Sequence, residues 1–320
     1  MKVVDLATPP LRPYKPKVFR NVFLALVIGL VGGVGLALLR ETVDKTIRRI
    51  DEISDDYFIP ILGVLPLASK DEMKSLDSLV RVSPSSLFSE AIRAAKASLS
   101  LVTSQNQTVR SILITGTASG EGKTTVAANL AQAYAGTGEK VLVIDADLRR
   151  PRMGKLFGNN GHMGLSHFLN GVCDFEEIIQ ETSVPNLHFI GSGPASSKLA
   201  ELLASSRMRE LMAVLSGRYD HIIVDSPPFG VFADVMILAT QVDGVILVTA
   251  LGITHREDIR IFCRKLADVN GCILGSIVNK LDIDRYNGSY YRKQYRSYYA
   301  RRSARPGGLP VEVDHAERWR

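Results

Sequence analysis

The stretch that most restricts how this chain can fold is Gly116-Thr-Ala-Ser-Gly-Glu-Gly122-Lys123-Thr124-Thr125. It lies between an apolar, β-rich run at 111–115 and a helix-like stretch that begins at Lys123. A strand running into a glycine-rich loop, then Lys-Thr and a helix, is the context a phosphate-binding loop requires. The glycines let backbone N–H groups converge on phosphate oxygens, and the helix N-terminus adds its positive partial charge. The candidate nucleotide-binding residues are Ser119, Gly120, Glu121, Gly122, Lys123, Thr124 and Thr125. Lys123 is placed to reach the β- and γ-phosphates, and the Thr124 hydroxyl to ligate Mg²⁺. A strict GxxxxGK[ST] match would carry glycine at 117, where this chain has threonine.

Two further strand ends carry acids. Asp145 and Asp147 close an apolar run as Val-Leu-Val-Ile-Asp-Ala-Asp-Leu-Arg149, and Asp225 closes His-Ile-Ile-Val-Asp-Ser-Pro-Pro. Carboxylates at i and i+2 point to one side, at the end of the sheet where open α/β folds bind ligands. They are costly together unless a cation lies between them and the phosphates. Asp225 fits a Walker B pattern, with its carboxylate toward Mg²⁺. Asn279, after the last strand-like run, could turn its amide toward an adenine edge, although a strand-ending turn accounts for it nearly as well.

The surrounding pattern alternates. Strand-like runs at 111–115, 140–144, 187–190, 221–224, 245–249 and 273–278 are separated by helical stretches at 123–137, 205–217, 231–240 and 255–269, with another helix at 85–102. Buried strands alternating with helices predict an α/β P-loop NTPase domain, a mostly parallel sheet with helices on both faces. The expected organisation is a Pro-rich segment at 1–17 outside the cytoplasm, a transmembrane helix at 18–40, a juxtamembrane helix and linker at 41–84, an ATP-binding domain at 85–280 and a disordered Tyr/Arg-rich tail at 281–320.

The membrane helix rests on Val22 to Leu39, eighteen residues without a charge. That is the lower edge of what spans a bilayer. Flanking basic residues are balanced and leave its orientation open. An ATP-dependent domain after it places that side in the cytoplasm, and the N-terminus is then easiest to accommodate if another helix precedes it in a longer or split protein. Three scattered cysteines, with no CxxC spacing, exclude a disulfide framework and a zinc site. The net charge of +6 is concentrated, because residues 285–305 hold seven basic residues and no acidic one. The same window holds Tyr286, Tyr290, Tyr291, Tyr295, Tyr298 and Tyr299, six of the ten tyrosines. Such a tail binds anionic lipid or nucleic acid on one reading and accepts phosphoryl groups on the other. The upstream nucleotide site favours the second, and no nucleic-acid partner is expected.

Gly116–Thr125, Asp145-x-Asp147-x-Arg149 and Asp225-Ser-Pro-Pro together resemble the bacterial tyrosine kinases, and eukaryotic HRD and DFG motifs are absent. The N-terminal part resembles the second membrane region of Wzc-type polysaccharide co-polymerases. The resemblance implies an ATP- and Mg²⁺-dependent autokinase acting on the six tail tyrosines and regulating exopolysaccharide or capsule polymerisation and export at the bacterial inner membrane. Lys123, Asp145 and Asp147 are the catalytic candidates, with Asp145 orienting or deprotonating the tyrosine hydroxyl. Thr124, Asp147 and Asp225 are the Mg²⁺ candidates. Glu90-x-x-Arg93-x-x-Lys96 resembles a family assembly motif, with lysine in place of its last arginine, and implies a ring-like homo-oligomer. The further implied partners are the membrane, the export machinery, a cognate tyrosine phosphatase and a periplasmic co-polymerase half, fused or separate. The rival reading is a MinD/ParA-like ATPase switch without kinase activity.

Overall fold

In the computed structural model the apolar runs among the described residues pair as one eight-stranded sheet, in the order Ile61–Pro66 (β1), Ile273–Leu281 (β8), Gly244–Ala250 (β7), Ser111–Gly116 (β2), His221–Asp225 (β6), Val141–Asp145 (β3), Leu187–Ile190 (β5) and Gln180–Glu181 (β4). The structure describes residues 17–69, 71–104, 109–158, 163–194, 198–230 and 233–283. The chain separates into two units, residues 1–45 and 46–320. In the first, helix α1 (Val18–Val43) contains an eighteen-residue window, Phe19–Leu36, of mean hydropathy 1.9, long and apolar enough to cross a membrane.

The second unit begins with α2 (Asp51–Tyr57) and strand β1 (Ile61–Pro66), followed by a 3₁₀ turn at Glu72–Ser78, α3 (Leu79–Val82) and α4 (Leu87–Ser104). The central strands are β2 (Ser111–Gly116), β3 (Val141–Asp145), β4 (Gln180–Glu181), β5 (Leu187–Ile190), β6 (His221–Asp225), β7 (Gly244–Ala250) and β8 (Ile273–Leu281). All neighbours run parallel except β4, which is antiparallel to β5. Between the strands lie α5 (Lys123–Ala135), α6 (Met153–Phe157), α7 (Leu165–Leu169), α8 (Phe175–Ile178), α9 (Leu199–Leu203), α10 (Ser206–Ser216), α11 (Asp234–Ala239) and α12 (Arg256–Asp268).

Every residue of β2 and β7 is buried, so both faces are covered and the strands read as unbroken apolar runs. Alternate residues then serve two cores. Ile112, Ile114, Val143 and Ile223 pack with Phe88, Ile92 and Leu99 of α4 and with Val126 and Leu130 of α5. Leu113, Ile144, Val224 and Leu247 belong to the other core, with Leu211 of α10, Leu238 of α11 and Phe262 of α12.

The segment expected to be a juxtamembrane helix and linker is largely part of this domain. Residues 44–50 are not helical. Ile47, Ile50 and Ile53 are fully buried in the second core, and β1 pairs with β8 as an edge strand. The 3₁₀ turn and α3 are pinned to α5. The Asn129 amide donates to Leu76 O (2.8 Å), its oxygen accepts from Val80 N–H (3.1 Å), and Gln132 donates to Asp77 O (2.8 Å). The Pro-rich segment up to residue 16 and the six tail tyrosines lie outside the described residues.

Candidate active site

Strand β2 delivers the chain into the glycine-rich loop, and α5 opens immediately after it. Gly120 and Gly122 take left-handed φ values of 85° and 96°, which glycine adopts without a steric penalty. At Gly122 a Cβ would also stand 2.1 Å from Asn279 Nδ2. Ser119 and Gly120 form the exposed crest of the loop. Lys123 is buried and donates to Ala118 O at 2.7 Å, so its ammonium folds back over the loop. Burial holds its pKa below the ordinary lysine value, against the pull of Glu121, Asp225 and Asp147.

Three carboxylates converge from the neighbouring strand ends. Asp145 and Asp225 are register partners on β3 and β6, at the carboxyl edge of the sheet where a crevice for ligands forms. Thr124 Oγ1 donates to Asp225 Oδ2 at 2.7 Å, while Asp225 Oδ1 is buried with no hydrogen-bond partner. Burial, and then the Asp145 charge, push the Asp225 carboxyl well above the usual range. A buried, unpartnered carboxylate oxygen beside a threonine hydroxyl suits a hard divalent cation, so these residues fit Mg²⁺. Among the described residues there is no cluster of three or more His, Cys, Asp or Glu side chains able to hold a metal. Asp147 is partly exposed, and its Oδ1 accepts from the backbone N–H groups of Arg149 (3.3 Å) and Arg150 (3.0 Å).

Asp145 differs from expectation. It is fully buried, with Oδ1 accepting from Asp147 N–H (3.2 Å) and Oδ2 from Arg152 N–H (3.2 Å) and Met153 N–H (3.1 Å). In this arrangement it holds the 146–153 loop and the start of α6, and no incoming hydroxyl reaches it unless that loop moves. Burial raises its pKa to about 7, with the nearby Asp147 charge adding to the effect and the three N–H donors opposing it.

Three loop-associated candidates are engaged by the protein. Asn279 donates to Glu121 O (2.8 Å) and accepts from Lys280 N–H (2.8 Å), so its amide clasps the loop instead of facing open space. The Thr125 hydroxyl donates to Asp77 Oδ1 at 2.5 Å. Glu121 is fully buried beneath the loop. Its Oε1 accepts from Thr117 (3.1 Å) and Thr254 (2.5 Å), and its Oε2 from Ala118 N–H (2.9 Å).

Sequence reasoning missed Asp77, Thr254 and Asp234. Asp234 receives Arg149 Nε at 2.8 Å and Nη2 at 3.4 Å, tying the loop after β3 to α11. None of the three stands in a motif, and each meets its partner from a distant part of the chain.

The assembly candidates divide. Arg93 pairs with Glu90 at 2.7 Å and also donates to Pro84 O, and both side chains are partly exposed. Lys96 points elsewhere, to Glu139 (2.7 Å), Thr137 (2.5 Å) and Ala133 O (3.4 Å), with its ammonium 4.4 Å from the Tyr134 ring centre. At about 100° per helical residue, position i+6 is turned about 120° from position i, toward α5.

The fold and this loop define a P-loop nucleotide-binding domain, and a family model described as an AAA domain matches residues 109–270. The tyrosine-protein kinase YwqD of Bacillus subtilis is 36% identical over 204 residues, covering 64% of this chain and 86% of that protein. EpsB of Ralstonia solanacearum is 30% identical over 325 residues, 99% of this chain, but the chain spans only 43% of its length. The kinase domain of the Escherichia coli tyrosine kinase ETK superposes with a TM-score of 0.69 at 28% identity, over 76% of this chain and 98% of that one. The chain belongs to the bacterial tyrosine-protein kinases.

Proposed function

We propose that this chain is a membrane-anchored protein-tyrosine kinase that transfers the γ-phosphoryl group of Mg-ATP to tyrosines of its own C-terminal cluster. The observation that carries the reading is the convergence of Lys123, Thr124 and the unpartnered Asp225 Oδ1 at the carboxyl edge of the sheet. The sequence carries a tyrosine-rich tail after that site, and membership in a family of tyrosine kinases supports the tail as acceptor.

Phosphoryl transfer is mainly positioning and charge stabilisation, and the loop suits both. Its N–H groups and the α5 N-terminus cradle the phosphates, and Lys123 places a cation at the transferring group. Thr124, Asp225 and Asp147 would hold Mg²⁺, which would supply charge neutralisation for the phosphates. Asp145 keeps the loop after β3 in place. With a pKa near neutrality it is suited to take the tyrosine proton once that loop is displaced.

The apolar window in α1 supports anchoring in a membrane, and the need for ATP, together with kinship to this family, is what assigns the kinase domain to the cytoplasmic side of the inner membrane. Participation in exopolysaccharide or capsule export, with an export apparatus, a phosphatase and a periplasmic half as partners, follows from kinship with this family. Glu90 and Arg93 remain exposed enough to meet a second copy in an oligomer.

The test is mass spectrometry of the full chain in detergent after incubation with Mg-ATP. Phosphate on Tyr286–Tyr299 is expected, and none on a variant with all six tail tyrosines changed to Phe. ATP hydrolysis without any phosphotyrosine would instead support an ATPase switch.

A further inference from the structure

Glu121 lies inside the loop sequence, yet its side chain turns away from the exposed crest and is fully buried below it. Turned under the loop, its carboxyl makes no contact with a ligand at the crest, and burial raises its pKa against the three donors that favour the charged form. What surrounds it is a set of three donors. Ala118 N–H reaches Oε2, and the hydroxyls of Thr117 and Thr254 reach Oε1.

Each donor is itself placed by the fold. Thr117 occupies the position where a strict phosphate loop has glycine, and its hydroxyl is one of the three. Thr254 is fully buried and accepts from Ala250 N–H (2.9 Å) at the end of β7. Its carbonyl accepts from Ile47 N–H (2.8 Å), which ties it to the first segment of the domain. Gly116 leaves room for the same carboxylate, since a Cβ there would stand 2.2 Å from Glu121 Oε2 and 2.7 Å from Val248 O.

We infer that Glu121 is a positioning residue for phosphoryl transfer: held by Thr117, Ala118 N–H and Thr254, it fixes the curvature of loop 116–122 before nucleotide arrives. The loop's first residues are thereby tied to its last ones and to the end of β7. The loop's N–H groups are then already converged when nucleotide binds, and only the Lys123 ammonium has to leave Ala118 O. This role presupposes the assignment of the loop to Mg-ATP.

The experiment titrates a fluorescent ATP analogue, with Mg²⁺, into the full chain in detergent for wild type, Thr254→Val, Thr254→Ser and Thr117→Val. The thermal midpoint of each is measured without nucleotide. Withdrawing one donor from a buried carboxylate should weaken binding about ten-fold in Thr254→Val and in Thr117→Val. Thr254→Ser, which restores the hydroxyl, should bind like wild type, and the valine variants should still unfold in one transition, with midpoints lowered by only a few degrees. Thr117→Val keeps the test decisive if Thr254→Val does not fold, because residue 117 lies on the loop itself. Unchanged affinity in a folded valine variant overturns the role, as does a loss that serine does not restore. A loss matched by a collapsed midpoint, showing a purely structural effect, overturns it too. Failure of wild type to bind would overturn the nucleotide assignment instead.

Discussion

Thr124 and Asp225 are 101 residues apart in sequence and joined by a 2.7 Å hydrogen bond that uses only one of the two carboxylate oxygens. The other is buried without a partner, so the pair leaves one carboxylate oxygen uncompensated at the edge of the sheet. Asp225→Asn should keep the hydrogen bond to Thr124 and lose the charge. Nucleotide titrations with Mg²⁺ and with EDTA should show a strong Mg²⁺ dependence in wild type and almost none in the variant. An equal dependence in both would place the cation elsewhere.

Lys123→Met should abolish tail phosphorylation, because a thioether carries no charge to a phosphoryl group. The readout is phosphotyrosine by mass spectrometry on protein made in a host without tyrosine kinases. Persistent modification at wild-type levels would remove Lys123 from the chemistry.

Asp145 supplies a pH prediction. Its folded pKa of about 7 lies above the value of an unfolded aspartate, so its contribution to stability is complete in acid and is lost as pH rises through 7. Between pH 6 and 8 the loss should be about 1 kcal/mol. Thermal midpoints of wild type should therefore fall over this range more steeply than those of Asp145→Asn. Added Mg²⁺ should lessen the fall by favouring the ionised carboxylates. Parallel pH profiles for the two proteins would contradict the raised value.

Lys96 and the Glu90–Arg93 pair should separate in the assembly test. Lys96→Ala removes bonds to Glu139, Thr137 and Ala133 and a contact with the Tyr134 ring. It should cost about 1–2 kcal/mol in chemical denaturation. Glu90→Ala with Arg93→Ala should change the oligomer mass by light scattering and leave stability nearly intact. A mass change in Lys96→Ala alone, with unaltered stability, would reverse this division.

The phosphate loop was legible because all its determinants are local: a strand, three glycines, a lysine and a helix within a few turns of chain. The carboxylates were legible because each ends an apolar run. Glu121 reads as a nucleotide ligand in the sequence because nothing nearby shows that Thr254 stands beneath it, 133 residues away. Strand β1 escaped notice because Pro60 and Pro66 bracket it and Gly63 interrupts it. The edge position tolerates Pro66, and Gly63 is needed because a Cβ there would stand 2.7 Å from Ala95 Cβ on α4. The motif groups Lys96 with Glu90, whereas helical geometry turns it to a different side.

The edge position of β1 has a practical consequence for anyone cutting the chain to obtain a soluble catalytic fragment. A start at residue 87, where α4 begins, would remove Ile61–Pro66 from β8 and uncover the backbone from Ser276 to Leu281. An uncovered strand edge recruits other strands, so such fragments would stick to one another through the sheet. Particle sizes measured on them would report the cut. A start before Thr46 keeps the border of the sheet closed.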